Sequence, residues 1–238
     1  MSKQVEIAKI YEDNHVIVVI KPQNVPCCPD ESGDANLLDE LKMHLGEGEK
    51  RTFVGLVHRL DRVTGGVMVY AKTSKAAARL AEQLQNNTFH KKYLAVVLGE
   101  PKLREKTLVD HLLKDELKNT TKIVPSATTG AKRAELNYRV TQIIDKVSLV
   151  EVQLVTGRSH QIRVQMANHG YPVFGDAKYG GDKLGKGWNL ALWAYEIAFV
   201  HPTTQDMMKF IVNPPETIPW TKFEIDRKVK QASKGAVE

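Results

Sequence analysis

The sequence predicts an α+β fold with a mixed, mostly antiparallel sheet and helices on its faces. Segments of strand and helix character interleave along the 238 residues. The links 144–148 and 201–207 are too short for the crossovers that parallel strands need, and the sequence contains no glycine-rich nucleotide loop. A hydrophobic fraction of 42 % and a charged fraction of 26 % are typical of a globular protein and exclude a disordered or fibrous chain.

Hydrophobic periodicity predicts the individual elements in chain order. Residues 15–21 are β-branched and apolar and end at a proline, which is typical of a buried strand. Residues 34–45 carry leucines at helical spacing, with Asp34 as the predicted N-cap and Gly46 after the end. We also predict strands at 67–72, 93–98, 135–144, 148–156, 189–201 and 207–212, a helix from the caps Thr73 and Ser74 to Asn86, and a helix at 160–168 capped by Ser159.

We expect a single domain over residues 1–226, made of two halves joined around the polar stretch 119–132, with a disordered tail at 227–238. Cys27 and Cys28 are adjacent, so they do not form a disulfide framework, and they favour a reducing cytoplasm. We expect no signal peptide and no membrane helix, because the apolar runs are far shorter than the ~20 residues that span a bilayer. The net charge of +6 is compatible with nucleic acid, an anionic surface or solubility alone.

The densest polar motif is H-R-L-D-R at residues 58–62, followed by T-G-G and a strand. Arginines on both sides of Asp61 favour an ionised carboxylate, which can act as a nucleophile, a general base or a metal ligand. The structural alternative is a salt-bridged turn in which the glycines supply only backbone freedom. A metal is the weaker option, because His58 and Asp61 alone do not make a site.

Two further motifs carry chemically useful side chains. T-G-R-S-H-Q-I-R at residues 156–163 places arginines around a helix start, which indicates either an anion site or a capped helix with a solvated basic face. H-K-K-Y at residues 90–93 ends in Tyr93, which is either a tyrosine at the edge of the core or a ring that stacks on a base.

Together these motifs resemble the RluA-type pseudouridine synthases. The residues that carry the resemblance are HRLDRVTGGVMVYAK, YEDNHVIVVIKPQNVP, NNTFHKKYLAVVLGE and LVTGRSHQIRVQMANHGYPVFGDAKYG. These blocks have the family's order and span about residues 9–215, which makes an accidental match very improbable. Three positions depart from the family pattern: Gly65 replaces a serine, while Gln165 and Trp193 replace histidines.

The resemblance implies an isomerase that detaches uracil from C1′ of a uridine in RNA, turns it, and rejoins it through C5. It implies no cofactor, no metal, and an active-site cleft between the two halves of the sheet. Asp61 matches the essential aspartate. Arg163 matches the arginine that keeps the aspartate charged and aimed, and Tyr93 matches a tyrosine that stacks on uracil and handles the C5 proton. Further RNA contacts are predicted for Arg59, Arg62, Lys92, Arg158 and His160.

The expected partner is structured RNA, either ribosomal or transfer RNA, with the target uridine flipped out of the stack. We expect a cytoplasmic monomer without the N-terminal S4-type domain that many members of this family carry, because the first family block begins by Ile10. Two alternatives remain open: an RNA-binding module that has lost catalysis, and a carboxylate-dependent hydrolase acting on RNA. The hydrolase needs a second acid or a metal near Asp61, and the motif supplies only basic neighbours.

Overall fold

The computed structural model describes residues 5–46, 52–181, 187–226 and 233–235. These residues confirm the predicted α+β class, with mostly antiparallel strands and three α-helices in the described ranges. The helices are α1 (Leu37–Leu45), α2 (Ser74–Gln85) and α3 (Gln161–Asn168). The strands are β1 (Ala8–Glu12), β2 (Val16–Lys21), β3 (Gly55–Leu56), β4 (Gly65–Ala71), β5 (His90–Leu98), β6 (Glu105–Asp115), β7 (Thr120–Ile123), β8 (Lys132–Ile144), β9 (Val147–Leu154), β10 (Leu192–Val200), β11 (Met207–Ile211) and β12 (Ser233–Gly235).

The chain divides into two compact units. The first unit comprises residues 1–91, 194–213 and 226–238, and the second comprises residues 92–193 and 214–225. The stretch 119–132, which we expected to join two halves, lies inside the second unit. It contains β7, which pairs with β6 as a hairpin, so this stretch is not an irregular linker.

The first unit is built on the strand order β1-β2-β4-β10, and β11 continues antiparallel to β10. All seven residues of β4 are buried, which explains why its sequence is continuously apolar rather than alternating. Helix α2 packs Ala76 and Leu80 onto a core that includes Phe89, Phe199 and Phe210. This core fixes the strand that directly follows Asp61.

The second unit has the antiparallel order β5-β9-β8-β6-β7. In strand β9, Val150 and Val152 are buried whereas Gln153 is exposed. Ser148 and Leu149 are buried as well, so the alternation is incomplete. Helix α3 packs Val164 against Leu112 and Ala134, and six of its eight residues are buried. The helix therefore carries the charged side chain of Arg163 inside the unit.

Two predicted helix caps are wrong, and one is confirmed. Helix α1 is capped by Asn36, whose side chain accepts from the Asp39 N–H at 3.0 Å, and not by Asp34. Helix α3 follows His160 in a left-handed conformation with no side-chain cap, so Ser159 does not cap it. Thr73 caps α2 as predicted, with its hydroxyl accepting from the Ala76 N–H at 3.1 Å.

Several strands were not predicted, namely β1, β3, β6 and β7. Their sequences are polar or short, and strand β6 reads EKTLVDHLLKD without clean alternation. Cross-strand pairing, rather than local pattern, keeps these segments extended. Most of the predicted disordered tail lies outside the described residues, and Ser233–Gly235 pair with β11.

Candidate active site

Asp61 lies in a tight turn that leads directly into the buried strand β4. The N–H of Thr64 donates to the carbonyl oxygen of Asp61 at 3.0 Å and closes this turn. Gly66 has a positive φ of 125°, and a Cβ there would lie 2.3 Å from the carbonyl oxygen of Ala194. The close approach of this neighbouring backbone therefore requires glycine at position 66.

A buried ammonium group anchors the same turn. Lys21 is 0 % exposed, and its Nζ donates to the carbonyl oxygens of Pro22, Val25 and Arg62 at 2.9, 2.6 and 2.9 Å. Burial lowers the pKa of Lys21 to about 8, although the negative charge of Asp61 opposes part of that shift. Because one of the three acceptors directly follows Asp61 in the chain, Lys21 ties the end of β2 to the turn.

Gln23 and His58 hold the chain on either side of that anchor. The Nε2 of Gln23 donates to the carbonyl oxygen of Val63 at 3.1 Å. The Nε2 of His58 accepts from the Val69 N–H in β4 at 3.2 Å. Burial, with a smaller effect from the charge of Lys91, lowers the pKa of His58 to about 3. His58 is therefore a neutral structural group, and its acceptor Nε2 places the ring proton on Nδ1.

The two arginines beside Asp61 have different surroundings. Arg59 is exposed between two buried residues. The guanidinium of Arg62 pairs with Asp34 at 2.7 Å and with Asp30 at 3.3 Å, and it also donates to the hydroxyl of Ser32. The charge of Arg62 is therefore already offset by the acidic segment that precedes α1.

Lys92 and Tyr93 lie on β5 opposite Gln153 and Val152 of β9. Lys92 is partly buried, and Tyr93 is 6 % exposed. In this conformation a base can touch only a small part of the Tyr93 ring. The burial favours a contact through the ring edge or the hydroxyl over full stacking.

Arg163 forms a buried, bidentate ion pair with Asp176. Its Nε lies 2.7 Å from Oδ2 and its Nη2 lies 2.7 Å from Oδ1, and the two side chains are 6 % and 0 % exposed. The Cζ of Arg163 also lies 5.0 Å from the centre of the Tyr179 ring. Such two-point pairing fixes both the position and the plane of a guanidinium group.

The remaining predicted contacts, His160 and Arg158, differ in exposure. His160 is 9 % exposed, and its Nδ1 lies 2.6 Å from the Tyr179 hydroxyl. This burial leaves little imidazole surface for a phosphate. Arg158 is exposed, with its Nε donating to the carbonyl oxygen of Arg133 at 2.9 Å, so it remains well placed for an anion.

Three residues with evident structural roles at the site received no role from the sequence: Lys21, Asp176 and Tyr179. Each lies in a matched motif, K-P or G-D-x-x-Y-G. The sequence does carry signals for these roles. One is a lysine within an apolar strand, and another is an aspartate beside a turn glycine.

Within the described ranges, no group of three or more histidine, cysteine, aspartate and glutamate side chains is arranged to hold a metal ion. Among the helices of the same ranges, none is long and apolar enough to cross a bilayer.

Residues 15–168 match the family model described as RNA pseudouridylate synthase. A Bacillus subtilis (strain 168) protein named uncharacterized RNA pseudouridine synthase YhcT is 34 % identical, over 85 % of this chain and 67 % of its own length. A Zymomonas mobilis protein named ribosomal large subunit pseudouridine synthase D is 33 % identical, over 87 % of this chain and 69 % of its own. The chain thus spans about two thirds of these curated relatives.

A solved structure titled human RNA pseudouridylate synthase domain containing 1 superposes with a TM-score of 0.73. It is 22 % identical and covers 92 % of this chain and 87 % of the human chain. At that identity the likeness concerns the fold alone.

Proposed function

This chain belongs to the RNA pseudouridylate synthase family, and from that premise we propose that it converts uridines of ribosomal RNA to pseudouridine with Asp61 as the essential group. Membership makes the reaction class an RNA uridine isomerisation. The observation that carries the assignment of Asp61 is its anchored turn, which lies within the matched residues 15–168. A catalytic carboxylate has to be held in a fixed position, and this turn is fixed from several sides.

The reaction balances without an added reactant. The C1′–N1 bond of uridine breaks and a C1′–C5 bond forms, while the C5 proton leaves to solvent and N1 takes up a proton. An ionised carboxylate supplies the group that starts this exchange. The G-D-x-x-Y-G and H-Q-I-R motifs meet at the Asp176–Arg163 pair, and we assign to Arg163 the role of keeping Asp61 charged and oriented.

Tyr93 is proposed to contact the uracil and to handle the C5 proton through its hydroxyl. Its low exposure makes a purely stacking role less favourable than a polar one. Exposed Arg59 and Arg158 are the preferred phosphate contacts, together with Lys92. The name of the Zymomonas mobilis relative favours ribosomal over transfer RNA as the substrate. Cytoplasmic location and a monomeric state remain predictions.

Tritium release from RNA labelled at C5 of uridine tests the reaction. We expect the wild type to release tritium and form pseudouridine, and Asp61→Asn to retain less than about a tenth of the rate because the carboxylate charge is gone. Melting temperature and RNA affinity should stay near the wild-type values. Asp145→Asn is the matched control, since Asp145 is exposed and forms a surface ion pair with Lys222.

The outcomes separate the alternatives. An Asp61→Asn variant with near-normal turnover contradicts the assignment of Asp61. A wild type that binds RNA but releases no tritium is an RNA-binding module, and strand cleavage or free uracil indicates a hydrolase. Mapping pseudouridines in total RNA with and without the gene then identifies the target, and a change confined to transfer RNA contradicts the ribosomal assignment.

A further inference from the structure

We propose that Tyr179 is a positioning residue for Arg163, and that His160 and the backbone of β7 hold Tyr179 in place. The inference rests on the proposed catalytic role of Arg163. All four groups lie in the second unit. His160 thereby acts through Tyr179 rather than as a direct contact to RNA.

The ion pair with Asp176 and the ring of Tyr179 act on different motions of the Arg163 guanidinium. Two parallel hydrogen bonds of 2.7 Å fix the guanidinium in its own plane. Rotation of the group out of that plane is opposed by whatever lies against its face. The Cζ of Arg163 lies over the Tyr179 ring, 5.0 Å from its centre, so this ring is a neighbour that can oppose the rotation.

The carboxylate that pairs with Arg163 also fixes the backbone of Tyr179. Oδ1 of Asp176 accepts from the N–H groups of Lys178 and Tyr179 at 3.0 and 3.1 Å. The turn closes with the Gly180 N–H donating to the carbonyl oxygen of Asp176 at 2.8 Å. A Cβ at position 180 would lie 2.5 Å from that oxygen, so the turn requires glycine. Arginine, aspartate and tyrosine therefore form one connected unit.

The Tyr179 hydroxyl is fixed by two groups from other elements. It accepts from the Thr121 N–H of β7 at 2.9 Å and lies 2.6 Å from the Nδ1 of His160. A hydroxyl oxygen can accept from Thr121 and also share a hydrogen bond with Nδ1, in which the imidazole tautomer sets the donor. The ring thus has little freedom to turn away from Arg163.

His160 adopts a left-handed backbone conformation with φ +54° and ψ +19°. Non-glycine residues seldom adopt it. Such backbone strain persists where the surrounding structure fixes the residue. The strained His160 directly precedes α3, and its ring contacts the Tyr179 hydroxyl. A helix cap alone does not require that contact.

The test compares Tyr179→Phe and Tyr179→Leu in the full chain, using RNA labelled at C5. Phenylalanine keeps the ring face and loses the hydroxyl, so we expect kcat to fall about 5-fold. Leucine also loses the ring face, and we expect a fall of about 30-fold. KM and RNA affinity should change by less than about 2-fold, because the lost contacts act through Arg163 and not on RNA.

Tyr138→Phe is the matched control. Tyr138 is a buried tyrosine of the same unit whose hydroxyl donates to the carbonyl oxygen of Leu103 at 3.4 Å. We expect its kcat to equal that of the wild type. The ¹⁵N NMR signal of the Arg163 Nε–H should move or broaden in Tyr179→Leu and stay unchanged in Tyr138→Phe, which reports on positioning independently of turnover.

The outcomes distinguish this inference from the proposed function. A wild type that releases no tritium overturns the proposed function. An active wild type together with a fully active Arg163→Ala variant removes the catalytic role of Arg163, and the inference falls with it. A Tyr179→Leu variant with normal kcat and an unchanged Arg163 signal overturns the inference alone. If Tyr179→Leu does not fold, the same criteria apply to Tyr179→Phe.

Discussion

Single buried side chains hold the segment around Asp61, and two of them are ionisable. The charged Lys21 donates hydrogen bonds to three backbone carbonyls. His58 is neutral and accepts a hydrogen bond from one backbone N–H. In both cases a buried side chain constrains the turn that contains Asp61, although burial normally disfavours a charged group.

The depressed pKa of His58 predicts an acid-dependent loss of stability. The folded value is about 3, whereas an unfolded histidine titrates near 6.5. Between these values the unfolded chain binds a proton that the folded chain does not, so the free energy of unfolding falls as pH is lowered. The dependence approaches about 1.4 kcal/mol per pH unit for one proton.

His58→Gln removes this titration and keeps an acceptor for the Val69 N–H. Between pH 7 and pH 5, denaturant unfolding should show the wild type losing about 2 kcal/mol more stability than the variant. Parallel pH profiles for the two proteins would contradict the buried, neutral state of His58.

Among the elements, helix α1 shows how a cap is selected. Asp34 and Asn36 are both residue types that cap helices. The structure uses Asn36, which has an extended backbone and accepts from the Asp39 N–H, while Asp34 pairs with Arg62. The helix therefore begins at Leu37 because the cap must have both the right side chain and the right backbone conformation.

Replacing each candidate cap by alanine separates the two roles. Asn36→Ala should lower the free energy of unfolding by about 1 kcal/mol, because a buried cap is lost. Asp34→Ala should change it by less than about 0.5 kcal/mol, because its ion pair is solvent-exposed. Chemical denaturation measures both values, and an equal loss from the two variants would contradict the observed cap.

At the scale of the whole molecule, a net charge of +6 is distributed over exposed basic side chains that differ in how they are paired. Arg158 is exposed, with a backbone carbonyl as its acceptor. Arg62 has two carboxylates already. An RNA phosphate that contacts Arg62 must displace those acids, so the net gain is small.

RNA affinity should therefore fall steeply with salt, with a logarithmic slope of about −0.7 for each phosphate contact to single-stranded or looped RNA. Arg158→Ala should reduce that slope by about one contact, and Arg62→Ala should reduce it by clearly less. Asp61→Asn should leave the slope unchanged. Titrations at several salt concentrations measure these slopes. A slope near zero for the wild type, or a larger effect from Arg62 than from Arg158, would contradict this account.

The sequence was sufficient for elements whose residues carry a local signal. Strands β2 and β4 are buried on both faces, so their apolar runs are visible without a structure. Strands β6 and β7 have polar, irregular sequences, and their local pattern therefore predicts no strand. The extended form of β6 depends on pairing with β8, which is distant in the chain, and β7 is held by its hairpin with β6.

The sequence by itself determined the fold class and, through motifs in the family's order, the reaction class. The tertiary structure decided how the charged side chains within those motifs are used. It buried Lys21 under three carbonyls, offset Arg62 with Asp30 and Asp34, and paired Arg163 with Asp176. Periodicity and motifs are properties of neighbouring residues, whereas burial and charge pairing depend on which distant segments meet. For that reason a sequence can identify a charged residue without showing which partner holds it.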